Sequence, residues 1–154
     1  GVDVSKDILK MAVVERHKNT RHIGIGYLKG YGLKSGAVAT SVAHDSHNII
    51  CVGTNDEDMA FAVNRIARNR GGIVVVENGQ VLAELPLEIA GIISGKPLRE
   101  VNTLLEGAKK AAHSLGVGTD IDPFMTLSFM SLPVIPTLRL TTRGVVDVNT
   151  QQYV

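Results

Sequence analysis

Cysteine is almost missing from this sequence: Cys51 is the single one in 154 residues. That excludes an internal disulfide and fits a reducing compartment. Lying in the apolar run Ile49-Ile50-Cys51-Val52, the thiol is expected to be buried and structural. Charge imbalance is missing too, since 16 basic residues face 15 acidic ones for a net of +1. The basic residues are scattered, which leaves no electrostatic footprint for nucleic acid or an anionic membrane. There is no secretory h-region and no long uncharged apolar run, so a soluble cytoplasmic protein with no membrane partner is expected. Linkers, low-complexity tracts and repeats do not occur, which points to a single domain. The chain opens at Gly1 without a methionine, so a cut or processed fragment is expected.

What is there suffices for a globular fold. Hydrophobic residues make up 44% and charged ones 20%, and a domain of this size buries roughly 68–70% of its unfolded surface, enough for a core without staples. Ile8 to Glu15 and Ile23 to Leu28 read as strands joined by the polar segment 16–21. Thr54-Asn55-Asp56-Glu57 offers a capping box for a helix. Its apolar face is Met59, Val63, Ile66 and Ala67, Arg65, Arg68 and Arg70 stand near its end, and Gly71-Gly72 stop it. Asn78-Gly79, set between Ile73–Glu77 and Gln80–Leu85, is the strongest hairpin signal, because Asn-Gly readily takes the positive φ angles of a type I′ turn. A second helix is expected from Pro97 to Leu115, with Leu98, Val101, Leu104, Leu105, Ala108 and Ala112 on one face. The elements predict an α+β domain, a largely antiparallel sheet with helices packed on it.

Two other stretches invite a functional reading. The glycines at 24, 26, 30, 32 and 36 match neither phosphate-loop pattern, and no helix start follows them in the required place. Asp122 to Pro136, DPFMTLSFMSLPVIP, can be capped by Asp122 and opened by Pro123, yet has almost no polar face. It must be buried, either in the domain's own core or against another domain or subunit.

Chemistry concentrates in Ser41–Ile50, SVAHDSHNII. On one continuous strand His44 and His47 would face opposite ways. If Asp45 and Ser46 form a two-residue hairpin loop, the histidines become cross-strand partners with Cβ atoms roughly 4.5–5.5 Å apart. The strand-like flanks on both sides, residues 37–42 and 48–52, favour such a reversal.

The runs AVVERH at 12–17, SVAHDSHNII at 41–50, GTNDEDMAFAVNR at 53–65, GGIVVV at 71–76, AELPLEIAGIIS at 83–94 and the segment 122–148 together resemble the C-terminal domain of bacterial adenine deaminase. The resemblance covers nearly the whole chain. It implies membership in a larger amidohydrolase-superfamily enzyme of adenine salvage, which hydrolyses adenine to hypoxanthine and ammonia at a divalent metal centre, manganese or iron, inside a (β/α) barrel. Such a barrel needs about 250 residues, and this chain carries no HxH strand motif to start its metal site. The resemblance therefore implies a fragment that binds no metal itself, is inactive alone, and has the barrel of its own polypeptide as partner. Its part would be to close over the barrel mouth. By motif match His44, Asp45 and His47 take a supporting or lid role there, and Ser46, Asn48, Glu15, Arg16 and His17 substrate-binding positions.

Plainer readings stand beside each of these. His44 and His47 can be a structural pair at a hairpin tip, Asp45 a turn residue bonding its own backbone, Asn48 a satisfier of backbone at a strand start, and Glu15-Arg16-His17 a solvated strand end. His22 and His113 read as surface residues. Two alternative functions also remain: a homo-oligomeric assembly module using the apolar 122–136 segment, and a small metal hydrolase built on His44, Asp45 and His47. The last places three ligands on one crowded turn, which a catalytic metal seldom accepts.

Overall fold

The computed structural model describes residues 1–14, 23–41, 49–86, 97–130, 138–141, 144–147 and 152–153, with side chains up to residue 128 except that of residue 23. Six strands, β1 (Ile8–Val14), β2 (Ile23–Lys29), β3 (Ala37–Thr40), β4 (Ile49–Gly53), β5 (Gly72–Glu77) and β6 (Gln80–Pro86), form one sheet in the order β2-β1-β4-β3-β5-β6. Every described pairing in it is antiparallel. Three short strands, β7 (Leu138–Thr141), β8 (Gly144–Asp147) and β9 (Gln152–Tyr153), make a second antiparallel sheet beside β2. The α+β class expected from the sequence is the one found.

Side-chain alternation splits the core in two. Leu9, Met11 and Val13 of β1 point one way with Val38, Ile50, Val52, Ile73, Val75 and Leu85, and helices α2 (Leu98–Ser114) and α3 (Pro123–Met130) cover them with Ala108, Ala112, Phe124 and Leu127. Ala12, Ala37, Ala39, Ile49, Cys51, Val74 and Val76 point the other way, under Met59, Ala62 and Ile66 of helix α1 (Asp56–Arg68). The sheet is thus a middle layer between helices. Strands β3 and β4, covered on both faces, are buried at every position, which is why they read as continuous apolar runs rather than alternating ones. Each fully buried Val, Leu or Ile there contributes about 1.5–3 kcal/mol.

Local chemistry sets the element ends. Helix α1 is capped by Asn55 rather than by the expected Thr54. Asn55 Oδ1 accepts from the Asp58 N–H at 2.8 Å, and its Nδ2 donates to Asp58 Oδ2 at 3.0 Å. Thr54 is committed elsewhere, donating both its N–H and its hydroxyl to the Gly36 carbonyl, at 3.0 and 3.2 Å. The helix stops where Arg70, Gly71 and Gly72 turn to φ of 62°, 124° and 123°. Asn78 and Gly79 have φ of 52° and 72°, the two positive values a type I′ hairpin demands.

One further expectation needs correcting. Leu98 was placed on the apolar face of α2 but is 75% exposed at the helix's first residue. The 122–136 segment opens as foreseen, with Asp122 Oδ1 accepting from the N–H groups of Phe124 and Met125, both at 3.0 Å. Phe124 and Leu127 enter the domain's own core, one of the two expected settings, whereas Met125 is 56% exposed in this chain.

Candidate functional site

The sheet order brings distant strand ends together. β1 ends, β4 begins, β3 ends, β2 and β5 begin and β6 ends on the same side of the sheet, so the connections 15–22, 42–48 and 87–96 all leave from that one end. Val14 pairs with Ile49 on one side and with Ile23 on the other. Glu15 therefore follows directly from a residue whose cross-strand neighbour directly follows Asn48. The residues expected at the site, Glu15, Arg16, His17, His44, Asp45, Ser46, His47 and Asn48, themselves lie outside the described residues, as does His22. Their attachment points are described.

Strands β3 and β4 run antiparallel, so the chain does reverse between Thr40 and Ile49 as expected. In the described ladder Thr40 stands opposite Ile50. A His44–His47 opposition requires a shift of one residue from that register.

The scaffold beneath this end is held by polar groups with little room to move. Ser41, 1% exposed, closes β3 onto β5: its N–H donates to the Gly72 carbonyl at 2.8 Å, and its Oγ accepts from the Gly72 N–H at 2.7 Å. Towards the same end Glu84 of β6 accepts from Arg65 Nε and Nη2 of α1, both at 2.8 Å, and from Asn69 Nδ2 at 2.9 Å. The Arg65 guanidinium, helped by Asn69, outweighs partial burial and holds the Glu84 carboxyl below its ordinary range. Such a planar two-point pair ties helix to strand. Nothing in the sequence marked this cluster, because Arg65, Asn69 and Glu84 meet only through the sheet's long-range order.

Other chemistry-bearing residues are structural. Cys51 is fully buried, and burial pushes its thiol well above the usual range, so it stays protonated and is no nucleophile. Half-buried His113 is held through Nδ1 by the Val117 carbonyl at 3.0 Å, beyond the end of its helix. Among the described residues no three His, Cys, Asp or Glu side chains converge as a metal would need. No described helix is long and apolar enough to cross a membrane.

Residues 1–152 match the sequence profile of the adenine deaminase C-terminal domain. This chain belongs to that family. It is 54% identical over 147 residues to an adenine deaminase of Nitratidesulfovibrio vulgaris strain Hildenborough, 53% over 152 to one of Listeria welshimeri and 47% over 152 to one of Bacillus subtilis. The alignments cover 95%, 98% and 99% of this chain, but in each case 26% of the relative. The adenine deaminase C-terminal domain thus spans about a quarter of the length of these curated relatives, and its motif runs AVVERH and SVAHDSHNII begin or end on strands that meet at one end of the sheet.

Proposed function

We propose that this chain is the closing domain of an adenine deaminase, a hydrolase that converts adenine and water to hypoxanthine and ammonia. The name carried by its relatives supports the reaction, and their greater length leaves room for a catalytic barrel. A divalent metal in that barrel, manganese or iron, would make hydroxide near neutral pH and stabilise charge developing at the purine ring. The domain itself excludes water from the barrel mouth and sets polar groups beside the substrate. It is inactive on its own.

The observation that carries this reading is the Val14–Ile49 pairing, which anchors both motif segments on neighbouring strands at one end of the sheet. Both faces of the sheet's central strands, β3 to β5, are occupied by the chain's own helices. The end is therefore the natural docking side. There His44, Asp45 and His47 act as lid groups, Glu15, Arg16, His17 and Ser46 as polar contacts, and the Asn48 amide as paired donor and acceptor for a purine edge. Purine salvage in the cytoplasm is the setting that fits.

The test is His44→Ala and His47→Ala in the full-length enzyme. A fall in kcat/KM of about tenfold, the worth of one lost hydrogen bond, is expected with fold and metal content unchanged. Unaltered kinetics would remove these residues from the site. Stoichiometric metal and adenine turnover in the isolated chain would overturn the closing-domain reading in favour of a self-contained metal hydrolase.

A further inference from the structure

We propose that Asn78-Gly79 is a latent deamidation site kept closed by the Asp58 carboxylate. Asn-Gly is the sequence pair most open to this chemistry, because glycine leaves its backbone nitrogen unhindered. In the reaction the Gly79 nitrogen gives up its proton to solvent and attacks Cγ of Asn78. The Cγ–N bond of the side-chain amide breaks, ammonia leaves with a proton from water, and a five-membered succinimide remains. Water then opens the ring at either carbonyl, giving aspartate or isoaspartate. The net change is one water consumed and one ammonia released, and no other reactant is needed.

Nothing steric protects the pair. Both residues are exposed, and no atom lies within 4 Å of where a Cβ on Gly79 would sit. What protects it is Asp58, reaching across from the first turn of α1. Its Oδ1 accepts from the Gly79 N–H at 3.1 Å and its Oδ2 from the Asn78 N–H at 3.3 Å, while Asn55 Nδ2 donates to Oδ2 at 3.0 Å. Asp58 is itself 4% exposed, so its carboxylate is held in place beneath the exposed turn. The attacking nitrogen is thus the atom the carboxylate holds. Its proton is engaged, its approach to Cγ is fixed by the turn, and a neighbouring negative charge opposes the anion that must form before attack.

The consequence reaches the fold. An isoaspartate at 78 adds a backbone atom to a two-residue turn and breaks the geometry that lets one carboxylate hold both N–H groups. The β5–β6 hairpin and the start of α1 would loosen together.

The experiment uses the full-length enzyme, incubated at mildly alkaline pH, digested, and mapped by mass spectrometry for replacement of NH2 by OH at Asn78. Asn64 and Asn102 serve as internal references. Asp58→Ala is expected to speed deamidation at Asn78 by about tenfold, the factor supplied by one hydrogen bond to a charged acceptor. Asp58→Asn, which keeps the shape and removes the charge, also speeds it. Ile66→Val, which thins the same core away from the turn, leaves the rate unchanged. The proposal is overturned if the wild-type site reacts as fast as a free peptide spanning 73–85, or if the Asp58 variants react no faster than wild type. It is equally overturned if Ile66→Val accelerates the site as much as Asp58→Ala, since the guard would then be general rigidity.

Discussion

The Tyr31 hydroxyl donates to the Pro123 carbonyl at 3.0 Å inside the core, joining the loop after β2 to the first residue of α3 across ninety-two positions of sequence. Tyr31 is 1% exposed, and burial drives its hydroxyl far above the usual range, so it is a permanent donor. Tyr31→Phe keeps the ring and removes a buried hydrogen bond, although the carbonyl keeps the partner its place at the start of α3 gives it. The expected loss is about 0.5–1.5 kcal/mol, seen as a lower urea midpoint with an unchanged slope.

Ser41→Ala removes an acceptor for the Gly72 N–H where β3 meets β5. A loss of about 1–3 kcal/mol is expected, because the site is sealed from water. Hydrogen exchange should quicken at Gly72 and its ladder neighbours while α2 keeps its protection; uniform exchange throughout would argue against a local clamp.

Asp58 also gives a pH dependence. Burial alone would raise its pKa, but the Asn55 amide and the Gly79 and Asn78 N–H groups together bring it below the ordinary aspartate value of 3.8. A carboxyl depressed in the folded state adds stability above that value and loses it as pH falls through the lower folded one. Denaturation of wild type against Asp58→Asn below pH 4 should therefore show the gap between them closing on acidification. A constant gap would mean the carboxylate's charge contributes nothing.

Gly36→Ala is expected to be severe. At φ of 76° an alanine is strained, and its Cβ would stand 2.2 Å from the Val76 carbonyl oxygen, a backbone atom that cannot swing aside. Misfolding or a large loss of thermal stability is the expected readout, whereas Gly79→Ala, with open space around it, costs only the positive-φ strain.

How much of this was legible in the sequence depended on range. The Asn78-Gly79 turn and the 56–68 helix were readable because a few adjacent residues fix their geometry. Thr54 and Asn55 are both good caps, and only the distant Gly36 carbonyl, which claims Thr54, decides between them. Helical periodicity gives the direction of Leu98 but not where the neighbouring sheet ends, so its exposure was invisible. Likewise the strand order that sets Val14 beside Ile49 rests on pairings between residues far apart in the chain. The two motif segments could be named from sequence, but their common departure point could not.

Because helices from the same chain cover both faces of the central strands β3 to β5, that part of the core is complete without any partner. In a calorimeter a full-length protein carrying this domain should accordingly absorb heat in two separable steps, one of them keeping its midpoint when the remainder of the chain is destabilised.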